Sequence, residues 1–386
     1  MIFTLEALQA KHGDALFLHY GKATSPQLIV IDGGPSGIFK KVIKPRLNKI
    51  KQSRIPEGKL PIRLLMISHI DDDHIRGVLD LSNELVKLQD EKIELPYKII
   101  SLWHNSFDDI VGNKAEGLFS TLNAAVQPVA MGGAVPSNLP LSYNGALMVA
   151  SVKQGRDLRN NAKTLHLDVN YPFGGLVLVP KSGKKTVKLG NSLSFTILGP
   201  QQQRVEDLQE EWDKKIKKLG LEKATEAQAI AAAFVDNSVY NLASIIVLAE
   251  LGSKKMLLTG DARGDDIIYG LKKAKLIKND KCYVDLLKVP HHGSDRNVST
   301  DFFRIVKAKH YVISADGKHG NPEISTLKML SEARGQDKYT IYLTNKEPRL
   351  VKFFNKEKAS GKKYNVVFRR SNVDSIQIDL GDSLDL

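Results

Sequence analysis

The sequence has little that would suit a secreted or membrane-embedded protein. Its 386 residues include a single cysteine, Cys282, which excludes an intramolecular disulfide framework and a multi-cysteine zinc site. No window approaches the roughly 18 apolar residues of a membrane span, and the segment from Met1 to Glu6 lacks a basic leader followed by an apolar core. We find no short-period repeat and no low-complexity tract. These absences predict a soluble, cytoplasmic, globular protein with no membrane partner.

Length and composition predict a large hydrophobic core. With 42% hydrophobic and 26% charged residues, the chain can form one elaborated domain or two. We interpret residues 1–386 as a single domain, and we expect Cys282 to be a small core residue. Residues 105–190 are rich in Gly, Asn, Ser and Pro and lack sustained periodicity, which indicates an insertion carrying short elements. Residues 201–235 have a helical composition typical of a second insertion, and residues 346–386 are predicted to be a basic C-terminal extension.

The formal net charge of +13 is clustered along the chain. Basic residues concentrate in 40–54, 214–218 and 352–370. The middle cluster is interleaved with acidic residues, which favours a solvated helix face. The other two have few acidic neighbours, and they are either solvated faces or a nucleic-acid footprint.

The most informative segment is a turn between a predicted strand and a predicted helix. His69, Asp71, Asp73 and His74 lie within six positions, directly after the aliphatic run Leu64–Ile67. Imidazole and carboxylate groups are ligands for zinc, manganese or iron, and the spacing indicates a metal site. The alternative is a helix beginning near His74 that is merely capped by the aspartates.

Further polar clusters also follow predicted strands. We expect strands at about 2–7, 15–20, 28–32, 64–67, 98–103, 193–198, 244–251, 255–258 and 284–289, and helices at 74–88 and 201–233. The polar clusters are His12-Gly-Asp-Ala15, Asp32-Gly-Gly34, Thr259-Gly-Asp261, Lys288-Val-Pro-His-His-Gly-Ser294 and Ile313-Ser-Ala-Asp-Gly-Lys-His319 with Asn321-Pro-Glu323. This arrangement predicts a site along one edge of a β-sandwich.

Taken in this order, the segments resemble the metallo-β-lactamase superfamily. Residues 69–74 are similar to its His-x-His-x-Asp-His turn, in the variant whose second histidine is aspartate. That variant is similar to the hydrolase domain of ComEC-type DNA-uptake proteins and their soluble relatives, although this chain lacks the membrane segments of the uptake channels. The resemblance implies an α/β protein with an αββα sandwich, in which two mixed β-sheets flanked by helices carry a dinuclear metal centre.

The resemblance also implies a role for each ligand. His69 and Asp71 would bind one metal, Asp73 and His74 the other, and Asp261 would bridge them, while one of His291 and His292 would complete the second site. Many relatives supply a third histidine to the first metal after the strand at 193–198, but here that strand runs into Gly199-Pro200. His104, His166 and His319 are alternatives for this ligand, and a mononuclear centre also stays open. The carboxylate of Asp71 is a harder ligand than the imidazole it replaces, which favours manganese or iron beside zinc. One or two ions of zinc, manganese or iron are therefore expected.

Such a site implies a hydrolase, most directly a phosphodiesterase or nuclease acting on DNA or RNA through a water activated by the metal. On this hypothesis Asp73 and Asp261 orient the nucleophile, and Ser294, Asn297 or His319 contacts the substrate. His319 could alternatively bind metal or donate a proton. Asn237, Asn241 and Ser244 either organise hydrogen bonds behind the ligands or serve turn chemistry. Two further hypotheses stand beside this one: a nucleic-acid-binding or partner-regulating protein with an incomplete centre, and a hydrolase of a small ester, lactone or phosphoester. The sequence names no protein partner.

Overall fold

Two large mixed sheets form the framework of the protein. The computed structural model describes residues 1–106, 109–110, 143–207, 210 and 243–384. Within them, one sheet has seven strands and the other eight, with a separate two-stranded ribbon. This arrangement confirms the predicted α/β class with two mixed sheets flanked by helices.

The first sheet combines an antiparallel half from strands near both ends of the described chain with a parallel half. Its order is β17-β1-β2-β3-β5-β7-β8, antiparallel up to β3 and parallel from β3 onward. The bounds in chain order are β1 (Ile2–Leu8), β2 (Leu16–Gly21), β3 (Gln27–Ile31), β4 (Leu60–Ile62), β5 (Leu64–Met66), β6 (Tyr97–Ile99), β7 (Ser101–Trp103), β8 (Asp168–Val169) and β17 (Ser375–Asp379), where β4 and β6 form the ribbon.

The second sheet repeats this division into antiparallel and parallel halves. Its order is β16-β15-β14-β13-β12-β11-β10-β9, parallel from β16 to β12 and antiparallel from β12 to β9. The bounds are β9 (Thr186–Leu189), β10 (Leu193–Gly199), β11 (Ile246–Leu251), β12 (Lys254–Leu258), β13 (Cys282–Lys288), β14 (Val306–Ile313), β15 (Thr340–Leu343) and β16 (Asn365–Phe368).

Helices cover the outer faces of both sheets. They are α1 (Lys44–Arg54), α2 (Asp72–Asp90), α3 (Tyr143–Thr164), α4 (Gly264–Lys273), α5 (Thr300–Ile305), α6 (Ile324–Arg334) and α7 (Pro348–Ala359), with a π-helical turn at Phe39–Ile43 and a 3₁₀ turn at Pro290–Gly293. None of the helices within the described residues is long and apolar enough to cross a bilayer.

Three apolar clusters define the layers. The inner cluster joins residues of both sheets, for example Phe3 and Trp103 with Phe195 and Met256. A second cluster lies between the eight-stranded sheet and α4 to α7, and it includes Cys282, which is buried as predicted. A third packs α1, α2 and α3 against the seven-stranded sheet. Burial of both sheet faces explains why the central strands are almost continuously apolar.

Backbone contacts between glycines hold the turn at residues 69–74 in place. The amide of Gly33 donates to the carbonyl of His74 at 2.6 Å, and the amide of Gly77 donates to the carbonyl of Gly34 at 3.1 Å. A Cβ on Gly77 would lie 2.0 Å from the carbonyl oxygen of Gly33, so only glycine permits this approach. The start of α2 is therefore fixed directly over the loop that follows β3.

The segments that the sequence predicts as additions contribute in different ways. Within 105–190, the 22-residue helix α3 packs beside α2, a longer element than the composition predicted. Within 346–386, α7 covers the second sheet, β16 forms one of its edges, and β17 forms an edge of the first sheet. Most of the predicted helical insertion at 201–235 lies outside the described residues.

Candidate metal centre

Four buried side chains meet at the carboxyl ends of the parallel strands. Asp14, His74, Asp261 and His292 each offer a ligand atom, and these atoms lie within 4.8 Å of one another. Asp14 lies between β1 and β2, His74 in the first turn of α2, Asp261 after β12 and His292 after β13. Imidazole nitrogens and carboxylate oxygens at such distances could hold a metal ion.

Hydrogen bonds aim the two buried imidazoles at each other. His74 Nδ1 is 2.9 Å from the carboxylate of Asp32, and His292 Nδ1 donates to the carbonyl of Ser314 at 2.9 Å. Each Nδ1 therefore carries the proton, which leaves the lone pair of each Nε2 free to bind an ion. The two Nε2 atoms lie 3.2 Å apart. Two lone pairs this close repel each other unless a proton or a metal ion lies between them.

Asp73 and Asp261 complete this position. His292 Nε2 lies 3.4 Å from Asp73 and 3.3 Å from Asp261, and His74 Nε2 lies 3.4 Å from Asp261 and 3.9 Å from Asp73. Asp14, by contrast, faces the Nδ1 edges of the histidines and forms a buried ion pair with Lys288. Asp73 therefore lies on the side where the Nε2 atoms converge, and Asp14 lies on the opposite, Nδ1 side.

Three more predicted residues lie near Oδ2 of Asp261, the oxygen that His292 also approaches. His69 Nε2 lies 3.6 Å from Asp71 Oδ2 and 3.9 Å from Asp261 Oδ2. His291 Nε2 lies 3.6 Å from the same oxygen of Asp261. Ser68 Oγ is 3.1 Å from His69 Nδ1, so the free Nε2 again faces the carboxylates.

The adjacent histidines both reach Asp261 because their backbone is left-handed. His291 has φ 47° and His292 has φ 54°, which costs on the order of 1–2 kcal/mol for each non-glycine residue. In an extended strand, neighbouring side chains point to opposite faces and could not share one carboxylate. Strain of this kind is retained where surrounding structure enforces it, typically at a functional site.

Two further observations indicate that these side chains are suited to a cation. His69 Nε2, Asp71 Oδ1 and Asp261 Oδ1 are buried and have no hydrogen-bond partner. Each buried polar atom without a hydrogen-bond partner costs about 1–3 kcal/mol of folding free energy unless a ligand satisfies it. Burial alone would lower the pKa of His74, but the carboxylates of Asp261 and Asp73 outweigh burial and hold this pKa well above its ordinary value. The site therefore favours positive charge.

Asn297 lies behind the ligands rather than among them. Its side-chain oxygen is 2.7 Å from His291 Nδ1, and its amide donates to the backbone carbonyl of Asp261 at 2.9 Å. Asn297 thus fixes both residues at once. Ser294 is buried next to the same turn, where its amide donates to the carbonyl of His291.

His319 is exposed and contacts the site through a second histidine. Its ring lies 5.2 Å from the ring of His12 in an edge-to-face arrangement. Burial lowers the pKa of His12 to about 4, against the opposing charge of Asp73. His12 is therefore neutral at pH 7 and lies between His319 and Asp73 of the turn at residues 69–74.

The other two candidates for the missing histidine lie elsewhere. His104 is buried beside helix α3, with Nε2 3.3 Å from the carbonyl of Gly155, and burial lowers its pKa to about 4. His166 is exposed in a left-handed turn after α3. Ser244 accepts a hydrogen bond from the amide of Asp261 at 3.3 Å. Asn237 and Asn241 lie outside the described residues.

The sequence assigned no role to Asp14, Asp32 and Lys288, although all three lie within the polar clusters that follow the predicted strands. Lys288 is 1% exposed, lies 3.7 Å from Asp261 Oδ1 and donates to the carbonyl of Gly260. Burial lowers its pKa, but the charges of Asp14 and Asp261 outweigh burial and raise it, so the ammonium stays charged. A charged residue at the end of an apolar strand was the available signal for Lys288.

Comparison with known proteins gives only short similarities. No family model matches the chain. A stretch of 77 residues, 18% of this chain and 3% of the other protein, is 35% identical to microtubule-associated protein 1A of Homo sapiens. A stretch of 55 residues is 42% identical to the same protein of Rattus norvegicus, covering 14% of this chain and 2% of that protein. The chain therefore spans only a few per cent of the length of the curated relatives that it matches.

Proposed function

We propose that this protein is a metal-dependent hydrolase of phosphodiester bonds, most directly a nuclease. The observation that carries the proposal is the convergence of Asp73, His74, Asp261 and His292. Their facing atoms are 3.2–3.9 Å apart, and ligands about 2.0–2.1 Å from a tetrahedral ion stand roughly 3.3 Å from one another.

A second ion position is supported by His69, Asp71 and His291 around the shared carboxylate of Asp261. We assign His291 as the ligand that replaces the histidine missing after β10, and His292 as the ligand of the first-described position. Asp261 Oδ2 lies 3.3 Å from His292 Nε2 and 3.6 Å from His291 Nε2, which suits a bridging carboxylate. This division is consistent with the resemblance to the metallo-β-lactamase superfamily, in which two ions share one aspartate.

The chemistry available to such a centre is hydrolysis. These residues would hold a divalent ion, which would supply a coordinated water with a pKa lowered from about 16 toward about 7 and a Lewis acid for a phosphoryl oxygen. Asp73 and Asp261 remain ionised and accept hydrogen bonds from the attacking water, because the neighbouring histidines hold their pKa values well below the usual range despite burial. Lys288 stabilises this cluster of negative charge from behind. A nucleic-acid substrate is supported by the clustered basic residues and by the resemblance to ComEC-type hydrolases.

Elemental analysis and turnover test the proposal together. Protein purified without chelator is expected to hold one to two divalent ions per chain. It is expected to hydrolyse bis(p-nitrophenyl) phosphate and to cleave DNA or RNA oligonucleotides in the presence of manganese, zinc, iron or magnesium. Asp73→Ala should abolish turnover. Asp72→Asn is the matched control, because Asp72 accepts a hydrogen bond from Gln154 instead of facing the histidines.

Failure of all four metals to support turnover of any phosphodiester would reject the nuclease. Turnover of small esters or lactones alone would assign the same centre to a different substrate class.

One observation favours a second candidate, a nucleic-acid-binding protein without catalysis. Lys288 already neutralises Asp14 and approaches Asp261, so the chain supplies a cation of its own beside the ligands. This candidate predicts little metal after purification and nucleic-acid binding that survives Asp73→Ala. The elemental analysis therefore separates the two candidates.

A further inference from the structure

A cavity lined by lysines lies on the second sheet, away from the histidines. It has a volume of about 580 Å³. Its charged lining, which we call the lysine pocket, consists of Lys184, Lys255, Lys273, Lys275, Lys278 and Lys281. Lys255 lies near the start of β12, whereas Asp261 follows the end of that strand. The lysine pocket is therefore separated from the candidate metal centre by the length of the strand.

Few carboxylates compensate this positive charge. Among the described residues, Lys255 lies 3.5 Å from Glu250, and no carboxylate is within 4.0 Å of the other five lysines. Lys273 instead lies 5.4 Å above the ring of Tyr269. Residues 270–283 contain five lysines and one aspartate, Asp280. The simplest alternative is a solvent-exposed basic surface without a ligand. On such a surface, mutual repulsion would favour lysines that are spread apart and not gathered around one cavity.

The backbone forces two of these lysines to face each other. Lys278 and Lys281 exchange both backbone hydrogen bonds, at 2.8 and 3.0 Å, across a two-residue turn. Asn279 and Asp280 in the turn have φ of 49° and 56°, as a type I′ turn requires. Like charges directly opposite on two strands destabilise the pair. An anion bound between them would relieve the repulsion.

An exposed aromatic ring borders the lysine pocket. Tyr283 is 64% exposed and lines the same cavity. A single phosphate carries too little charge to neutralise the five lysines without a carboxylate partner and gives no role to the ring. A nucleic-acid strand accounts for both the lysines and the ring, because its phosphates repeat along the strand and its unpaired bases stack on aromatic side chains.

We propose that the lysine pocket binds a single strand of nucleic acid, with phosphates on the lysines and a base on Tyr283. The inference rests on the proposed function for its ligand class, and it adds a docking site remote from the metal centre. A strand held there would be anchored while another part of it reaches the histidines.

Fluorescence anisotropy with a labelled single-stranded oligonucleotide tests the proposal on the full chain. EDTA in the buffer keeps the probe intact and makes the measurement independent of the metal centre. The double variant Lys278→Ala with Lys281→Ala is expected to raise Kd about tenfold at moderate salt and to reduce the salt slope by about 1.4, since each of the two lost phosphate contacts on a single strand contributes about 0.7. Tyr283→Ala should weaken binding about fivefold or more, and Tyr283→Phe should retain it.

The matched control removes two exposed lysines that do not line the lysine pocket, Lys22→Ala after β2 with Lys59→Ala before β4, and should leave Kd within twofold. Circular dichroism verifies that each variant is folded. An unchanged Kd in the Lys278 and Lys281 variant, or equal competition by polyglutamate, would overturn the proposal. Complete displacement by millimolar inorganic phosphate, with no effect of Tyr283→Ala, would instead reduce the site to a simple anion site and also overturn it. Turnover of bis(p-nitrophenyl) phosphate is measured separately, so failure of this inference is distinguishable from failure of the hydrolase proposal.

Discussion

His74 and His292, 218 positions apart in the chain, present their Nε2 atoms to each other at 3.2 Å. Their Nδ1 atoms are already bonded to Asp32 and to the carbonyl of Ser314. Neither ring can turn away without breaking a buried hydrogen bond. The pair is therefore held in a geometry that suits a cation and is unfavourable without one.

Asp261→Asn should remove metal binding, because the carboxylate faces both proposed ion positions. We expect the affinity for zinc or manganese to fall by more than about 100-fold, a larger loss than the 10–100-fold usual for residues behind a ligand. Equilibrium dialysis with elemental analysis measures it. Asp265→Asn, an exposed carboxylate on α4, is the control and should bind metal normally. Full occupancy in Asp261→Asn would contradict the assignment.

Asn297→Ala should weaken the ion position of His291 more than the other, although its amide also bonds the backbone carbonyl of Asp261. Loss of the 2.7 Å hydrogen bond frees the ring of His291 to rotate, and we expect the affinity of the His69, Asp71 and His291 position to fall about 10–100-fold. A two-step titration with cobalt, followed by absorbance, separates the two positions. The exposed Asn191→Ala provides the comparison. Equal weakening of both steps would argue against His291 as a ligand of its own ion.

Gly13→Ala should displace Asp73. A Cβ at position 13 would lie 2.0 Å from the carbonyl oxygen of Asp73, so the loop and the turn must separate. Overpacking of this kind costs about 1–3 kcal/mol in the free energy of unfolding, and metal affinity should fall with it. Urea denaturation measures the first effect. Gly175→Ala meets no atom within 4 Å and should change stability by less than about 0.5 kcal/mol; equal effects at both positions would refute the steric argument.

Acid should destabilise the protein through Glu6, a buried carboxylate on β1 that is not part of the His/Asp cluster. Burial would raise its pKa, but the hydrogen bond from His19 and the charge of Arg46 outweigh burial and lower it from 4.5 to about 2. A carboxylate whose pKa is depressed on folding contributes stability that is present above pH 4.5 and is lost as the pH falls toward 2. The full contribution is about 3 kcal/mol.

Denaturation of the wild type and Glu6→Gln from pH 7 to pH 3 checks this expectation. The stability difference between them should be largest at neutral pH and should shrink steadily below pH 4.5. Glu84→Gln, which removes a partly exposed ion pair with Lys44, should show little pH dependence. A difference that stays constant across this range would rule out Glu6 as the source.

Local patterns in the sequence were sufficient for several strands and for α2, whereas β14 to β17 and α4 to α7 were not predicted. The strands expected at 2–7 and 193–198 are observed at Ile2–Leu8 and Leu193–Gly199, because alternating or continuous apolar runs bounded by turns leave few other choices. The helix expected from His74 begins at Asp72. Asp71 occupies the N-cap position of α2, as the capping alternative expects. Its side chain makes no capping hydrogen bond, so capping does not explain why this residue is an aspartate.

Sequence by itself also supplied part of the inventory of the site, since it singled out His74, Asp261 and His292 of the buried cluster but assigned no role to Asp14. Adjacent histidines before Gly-Ser, and imidazoles and carboxylates crowded after an apolar strand, are costly arrangements for packing alone. Tertiary structure decided which of these residues face Asp261 and which lie behind them. The left-handed backbone that turns His291 and His292 toward one carboxylate, the placement of Asn297 behind His291, and the buried pairing of Lys288 with Asp14 all depend on contacts between loops distant in sequence. Such contacts arise only when the two sheets pack, because no local pattern encodes which loops will meet at their shared edge.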